Sequence, residues 1–363
     1  MWNFASRGVP RGCVPADVHH NLRMRRRTWI VLIAISALII LAGLAWIAIT
    51  QSGLLQPSHW EQPAEPIPVI STRGHLKNGK LTAGHTSYDY DIEGDMPGLA
   101  EGSLPPPDLL IVAHGFNNTA EKALYKFAIA RDSLVGGGYE GAFAGFSWDA
   151  NTQTDPLAMT GYHEGMRNAA ASGFKLARFV SDYKRDCPDT RIHLLGYSMG
   201  ALVVLEALKA LDDDPTLASD QVLVSSVHLA GASVGNDEVE LGQRYGRAIE
   251  HSCGTLYNYF SPEDNKLGYY YPLKEGGSAL GLTGIKDPQE QPRNYVDVYA
   301  VKELPALNDK GVADVDEYGD NHSGYLGTRN KSGELIDDGI LDLVAQNIAQ
   351  LASSLPPDIP PQP

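Results

Sequence analysis

A single serine, Ser198, lies between Gly196 and Gly200 in the segment RIHLLGYSMGALVVLEAL (191–208). The apolar run before Ser198 is typical of a strand, and the run after it has helical spacing. A serine at a sharp strand-to-helix turn projects its hydroxyl above the sheet, and flanking glycines remove side chains that would clash with the turn. The turn also places the hydroxyl at a helix N-terminus, which favours developing negative charge. The segment therefore predicts a nucleophilic serine.

A hydroxyl is a poor nucleophile without a base, and His322 is the candidate. It is the only histidine beyond residue 251, and it lies in the polar segment YGDNHSGYLG between the last predicted strand and the last predicted helix. The alternative interpretation of His322 is a solvated surface histidine. Four other histidines fall in predicted helices and strands or at their ends, which indicates structural or surface positions: His163, His193, His228 and His251.

The segment NYFSPEDNKLG supplies the acid that would orient the imidazole. Asp264 lies at the carboxyl end of a predicted strand, and Glu263 is its nearest rival. Capping of a helix by either acid is the alternative interpretation. We favour Asp264, which could hold the imidazole tautomer from that position. The chain order Ser198, Asp264, His322 is also the order that a strand–turn–helix serine motif requires.

Two backbone amides could bind the oxyanion that forms when the serine attacks a carbonyl. The Met199 N–H is one by its position after the serine. The second should come from a loop after an earlier strand, and the segment AHGFNN (113–118) follows the apolar run LLIVA. Within it, Gly115 lets the backbone approach closely, and the Phe116 N–H can donate.

Strands and helices alternate along the chain. This pattern, with strands apolar on both faces, predicts a parallel-rich sheet covered by helices on both sides, with the site at the carboxyl ends of the strands. The predicted strands lie at 68–75, 87–92, 108–116, 142–149, 191–198, 221–231, 254–264 and 294–304. The predicted helices lie at 118–134, 160–185, 199–213, 236–251 and 339–355.

The segments HGF, GYSMG, SPEDN and NHSGY are similar to the oxyanion, nucleophile, acid and histidine motifs of the α/β-hydrolase superfamily. The chain most resembles a poorly characterised esterase/lipase-like branch, in which SWDA after the fourth strand also recurs. The resemblance covers roughly residues 69–355. It implies an α/β-hydrolase fold with a mostly parallel eight-stranded sheet, helices on both faces, and a Ser–His–Asp mechanism without a cofactor or metal. The HGF loop has fewer glycines than the HGGG loop of some esterases. The resemblance therefore does not by itself identify the second oxyanion donor.

The N-terminal region contains 21 uncharged residues from Trp29 to Ile49. At about 1.5 Å per residue, a helix of this length spans a hydrocarbon core of about 30 Å. Arg25, Arg26 and Arg27 directly precede it, and the positive-inside rule then places everything after residue 50 outside the cytoplasm. A buried core helix and a cleaved signal peptide are the alternative interpretations.

The chain thus divides into five predicted parts. They are a basic cytoplasmic N-terminus at 1–28, whose true start could be Met24, a transmembrane anchor at 29–49, a Pro-rich linker at 50–68, the hydrolase domain at 69–355, and a disordered tail at 356–363.

Charge and cysteine usage exclude some functions. Residues 1–50 hold six arginines and one acid, so the remaining 23 bases and 43 acids give the rest of the chain a formal charge of −20. An acidic body argues against nucleic-acid binding, because phosphates would be repelled. The three cysteines show no metal-binding spacing, and the sequence leaves open a Cys187–Cys253 disulfide or unpaired thiols.

These observations predict a membrane-anchored serine hydrolase that cleaves small-molecule or lipid carboxylic esters through an acyl-enzyme. An acyltransferase or thioesterase with the same triad is a second interpretation, because an acyl-enzyme can react with acceptors other than water. A catalytically silent, anchored binding module is the third.

Overall fold

The computed structural model describes residues 65–152, 159–217, 223–300, 321–329 and 334–354, together with the isolated residues 36 and 63. The predicted anchor at 29–49 lies outside these ranges except for residue 36, as does the predicted tail at 356–363. Within the described ranges, none of the helices combines the length and the apolar character needed to cross a bilayer.

Eight strands form one sheet, as predicted. In chain order they are β1 (Val69–Ser71), β2 (Asp91–Glu93), β3 (Asp108–Ala113), β4 (Ala142–Ser147), β5 (Arg191–Tyr197), β6 (Val224–Ala230), β7 (Cys253–Phe260) and β8 (Tyr295–Tyr299). Their order across the sheet is β8-β7-β6-β5-β3-β4-β1-β2. Within this sheet, only the pairing of β1 with β2 is antiparallel, so the expectation of a mostly parallel sheet is confirmed.

Helices cover both faces of the sheet. They are α1 (Ala120–Gly136), α2 (Met159–Asp186), α3 (Gly200–Asp213), α4 (Gly246–Ser252), α5 (Asn265–Glu275), α6 (Leu280–Thr283) and α7 (Leu341–Ser354). Alternate residues of β3 face opposite sides, because strand side chains alternate. Leu109 and Ile111 pack into the core beneath α2 and α3, whereas Leu110 and Val112 pack into the core beneath α1 and α7. This two-sided burial explains why the central strands read as continuous apolar runs.

Some predicted boundaries differ from the structure. The helix predicted at 236–251 begins only at Gly246, because residues 236–245 form turns and bends. Gly242 has a left-handed φ of 80°, and a Cβ on Gly246 would lie 2.1 Å from the Glu240 carbonyl oxygen. The strand predicted at 87–92 begins only at Asp91, because a turn closed by the Asp89 carboxylate and the Thr86 amide precedes it.

The two described cysteines are free thiols, and both are buried. Cys187 follows the end of α2, whereas Cys253 begins β7. Burial raises the pKa of the Cys253 thiol to about 12. This thiol is therefore neutral and unreactive at ordinary pH.

Two histidines lie in the centre of the sheet, as expected for structural residues. His193 on β5 and His228 on β6 are fully buried and share the Ser226 hydroxyl, at 2.7 Å from His193 Nδ1 and 2.8 Å from His228 Nε2. Burial lowers the pKa of both imidazoles, because the charged form loses its hydration.

Acid should therefore destabilise the fold. The unfolded chain binds a proton at each imidazole near an ordinary pKa of about 6.5, whereas the folded chain keeps both neutral. Stability is then full above this pH and falls as the pH decreases below it. Urea denaturation of the full-length chain should give a lower free energy of unfolding at about pH 5 than at about pH 7.5.

The control removes one of the two buried imidazoles. His228→Gln should flatten the pH dependence relative to the unchanged chain, because His228 is fully buried. Equal slopes for the variant and the unchanged chain would contradict this explanation.

Candidate active site

The turn between β5 and α3 holds Ser198 in a strained conformation. Its φ is 55°, in the left-handed region that residues with a Cβ rarely adopt. The glycines on either side make room for this turn. A Cβ on Gly196 would lie 2.6 Å from Ala201 Cα, and one on Gly200 would lie 2.2 Å from the Ala113 carbonyl oxygen. Both positions therefore require glycine for steric reasons.

The structure brings the three predicted side chains together. His322 Nε2 lies 2.9 Å from Ser198 Oγ, and His322 Nδ1 lies 2.6 Å from Asp264 Oδ2. His322 is 4% exposed and lies in a short 3₁₀ helix, Asn321–Leu326, so it is not a solvated surface histidine. The Tyr197 hydroxyl donates to the His322 carbonyl oxygen at 3.1 Å and holds this helix over the end of β5.

Asp264 combines the two roles that the sequence offered as alternatives. Its Oδ1 accepts a hydrogen bond of 2.9 Å from the Leu267 amide and caps α5, while Oδ2 faces the imidazole. The residue is 1% exposed. Its rival Glu263 is exposed to solvent. The helix cap thus fixes the carboxylate in the orientation that suits the imidazole.

The two predicted amide donors flank the serine. A Cβ on Gly115 would lie 2.9 Å from Ser198 Cβ, so the HGF loop packs directly on the turn. Within the described ranges, the amides of Phe116 and Met199 donate to no protein acceptor. A group bound beside the serine could therefore accept hydrogen bonds from them.

Residues that the sequence analysis missed line the same region. The Tyr162 hydroxyl lies 3.0 Å from Ser233 Oγ, and the Ser233 amide donates to the Ser198 carbonyl oxygen at 3.2 Å. The Tyr162 ring packs against the Phe116 ring, with centroids 5.7 Å apart, and Lys274 Nζ lies 4.5 Å from the Tyr162 centroid. No short-range motif marks Tyr162, because its place depends on how α2 packs on the sheet.

Two aromatic features near the triad differ in exposure. Trp148 is fully buried, and its indole N–H donates to the His114 carbonyl oxygen at 2.8 Å. Most of the tyrosine-rich segment 268–282 forms α5 and α6. Tyr269 is 72% exposed, whereas Tyr271 is 4% exposed.

One group of side chains has the composition of a metal site. The ligand atoms of His75, His85 and Asp89 lie within 4.8 Å of one another. However, Lys175 Nζ donates to Asp89 Oδ1 at 2.6 Å and lies 3.4 Å from His75 Nδ1. The Lys175 ammonium places a positive charge where a metal ion would bind. We therefore interpret these side chains as a structural ion-pair cluster.

Comparison with known families identifies a match over residues 105–314, more than half of the chain, to the family described as "Alpha/beta hydrolase of unknown function (DUF900)". The matched region contains Ser198 and Asp264 and ends before His322. No curated protein matches the chain.

Several solved structures are similar at low identity. An acetylxylan esterase at 0.90 Å resolution is 15% identical, over 69% of this chain and 98% of that one, with a TM-score of 0.32. A cutinase-like protein from Cryptococcus sp. is 15% identical, over 67% of this chain and 94% of that one, with a TM-score of 0.33. The catalytic core domain of acetyl xylan esterase from Trichoderma reesei is 14% identical, over 69% of this chain and 99% of that one, with a TM-score of 0.28.

The steric argument at the turn can be tested with one added methyl group. Gly200→Ala should lower the free energy of unfolding by at least about 2 kcal/mol, because the new Cβ would overlap the Ala113 carbonyl oxygen. Gly277→Ala is the matched control, since a Cβ there meets open space, and it should change stability by less than about 0.5 kcal/mol. Similar urea midpoints for the two variants would contradict the steric requirement.

Proposed function

This chain belongs to the family of alpha/beta hydrolases of unknown function, and we propose that it is a serine hydrolase that cleaves carboxylic esters. Ser198 is the nucleophile, His322 is the base, and Asp264 is the partner of the imidazole. The observation that carries the proposal is the unbroken hydrogen-bonded series of these side chains, 2.9 Å from Ser198 Oγ to His322 Nε2 and 2.6 Å from His322 Nδ1 to Asp264 Oδ2.

The proposed reaction begins with attack of Ser198 Oγ on the ester carbonyl carbon. His322 Nε2 accepts the hydroxyl proton as the new C–O bond forms, and the imidazolium is stabilised by the Asp264 carboxylate. Because Asp264 Oδ2 accepts from Nδ1, the neutral imidazole keeps its lone pair on Nε2, where the serine proton must go.

The carbonyl oxygen becomes negatively charged in the tetrahedral intermediate. The amides of Phe116 and Met199 bind this oxyanion, and the N-terminus of α3 adds a favourable dipole. His322 then protonates the leaving alcohol. Water attacks the acyl-enzyme by the same proton relay in reverse, and the carboxylic acid is released with Ser198 restored.

The proposed substrate class is supported by the aromatic groups near the serine. The partly buried Phe116 ring offers apolar surface to the carbon skeleton of an ester, and the buried Tyr162 ring packs against it. These groups suit small-molecule or lipid esters. No step in this reaction needs a cofactor, and the absence of one stays a prediction.

Removal of the nucleophile should abolish the reaction. Ser198→Ala should lower kcat for p-nitrophenyl esters by about 10⁵-fold, because no covalent intermediate can form. The full-length chain should react with a fluorophosphonate probe, and the variant should not. Unchanged labelling of Ser198→Ala would refute the assignment, and probe labelling without hydrolysis of any ester would favour acyl transfer instead.

Neighbouring acids provide a matched control for the third member of the triad. Asp264→Asn should lower kcat by about 10⁴-fold, because an amide nitrogen facing Nδ1 favours the wrong tautomer. Glu263→Gln alters the adjacent, exposed acid and should leave kcat unchanged. Equal activities of the two variants would remove Asp264 from the mechanism.

We also propose that residues 29–49 anchor the enzyme in a membrane with its catalytic domain outside the cytoplasm. Support comes from the 21 uncharged residues and the three arginines that precede them. The full-length chain should remain in the membrane pellet after an alkaline carbonate wash, and protease added outside intact cells should degrade the domain. Release by carbonate would refute the anchor, and protection from protease would refute the orientation.

A further inference from the structure

A partly buried arginine, Arg73, contacts the HGF loop. Arg73 follows β1, and its Nε donates to Ser147 Oγ at 2.6 Å. Its Nη2 lies 3.1 Å from His114 Nε2 and donates to the Asn118 carbonyl oxygen at 3.1 Å. The guanidinium therefore joins the two ends of the loop to the end of β4.

These contacts determine which nitrogen of His114 carries its proton. Arginine can only donate, and the Trp148 amide also donates to His114 Nε2, at 3.2 Å. Nε2 is therefore an acceptor, and Nδ1 carries the hydrogen that is donated to the Gly115 carbonyl oxygen at 2.9 Å. Burial and the nearby charge of Arg73 both hold the pKa of His114 well below its usual range, so the imidazole stays neutral.

The orientation of one peptide group follows from this tautomer. The Gly115 carbonyl oxygen also accepts from Asn118 Nδ2 at 2.9 Å, so two donors hold it inside the loop. In a trans peptide, the N–H of the next residue points opposite to the carbonyl group. The Phe116 N–H is consequently directed away from the His114 and Asn118 side chains, and it has no acceptor in the described chain.

The SWDA segment, which the mechanism does not use, supports this arrangement. Ser147 accepts from Arg73, and the Asp149 carboxylate accepts from the amides of Gly74 at 2.9 Å and Leu76 at 3.1 Å. The Ala150 carbonyl oxygen accepts from the Asn117 amide at 3.0 Å. The segment thus holds the Arg73 loop with one group and the HGF loop with another.

We propose that Arg73 is a positioning residue that acts through His114 to orient the Gly115–Phe116 peptide and so preforms the oxyanion hole. This inference rests on the proposed function, in which the Phe116 amide binds the oxyanion. Arg73 itself touches neither the serine nor the imidazole of the triad among its described contacts.

Kinetics of two arginine variants test the role in the reaction. Arg73→Met should lower kcat for a p-nitrophenyl ester by roughly 10- to 100-fold and change KM by less than about threefold, because an oxyanion contact acts mainly in the transition state. Arg191→Met is the matched control. Arg191 is likewise partly buried and pairs with Asp108 at 2.6 Å, but it lies at the opposite end of β5. Its loss should alter kcat by less than about threefold.

Selective isotope labelling tests the peptide orientation without any activity. The sequence contains three Gly–Phe peptides, at 115–116, 145–146 and 173–174. A full-length chain labelled with ¹³C-carbonyl glycine and ¹⁵N-phenylalanine should therefore give three correlated signals. In Arg73→Met the signal of 115–116 should shift or broaden while that of 173–174 stays in place, and in Arg191→Met the 115–116 signal should not change.

The two measurements separate the possible failures. An unchanged 115–116 signal in Arg73→Met would overturn the proposed positioning, as would a loss of kcat no larger than that of Arg191→Met. If the unmodified chain hydrolyses no ester, the proposed function fails, while the labelled signal still decides whether Arg73 orients this peptide.

Discussion

The close approach of two backbones at the end of the sheet is the constraint on which the rest of the site depends. The chain leaves β5 through Ser198 in a left-handed conformation and enters α3 against the carbonyl oxygen of Ala113 at the end of β3. Only glycine fits at 196 and 200, because a Cβ at either position would overlap backbone atoms. The cost of this strain is offset by the central position of β3 and β5, which are buried on both faces.

The parallel sheet determines where the other groups can lie. Strands that run in the same direction bring their following loops to one edge, so the loops after β3, β5 and β7 meet although they are distant in sequence. Asp264 shows how a local hydrogen bond helps to place a side chain where these loops come together. One carboxylate oxygen caps α5 and the other faces His322, so the same hydrogen bond that begins a helix also sets the direction of the acid.

Polar groups around the HGF loop form a connected network. Arg73, His114 and the SWDA segment satisfy one another through hydrogen bonds between β1, β3 and β4. Burying polar groups costs free energy unless they are hydrogen-bonded to one another. A fully paired network also permits few alternative arrangements of its side chains. A loop with few glycines can in this way hold a backbone amide in one direction.

Local signals in the sequence predicted most of the architecture. The apolar runs predicted the strands of the sheet, and helical spacing predicted α1, α2, α3 and α7, because burial on a regular element imposes a period on the side chains. Boundaries were less predictable. The turns and bends at 236–245 contain residues with helical spacing, and only the left-handed Gly242 and the crowded Gly246 show why no helix forms there.

By itself, the sequence determined the family, the order of the elements and the short list of Ser198, Asp264 and His322, since each lies in a motif of a few neighbouring residues. Only the tertiary structure decided that their side chains lie within hydrogen-bonding distance, that Tyr162 and Ser233 join them, and that Trp148 and Arg73 lie behind the loop. The physical reason is the separation in sequence of the residues that interact. Motifs record local conformation, whereas these contacts join residues up to 124 positions apart that meet only when the sheet is complete.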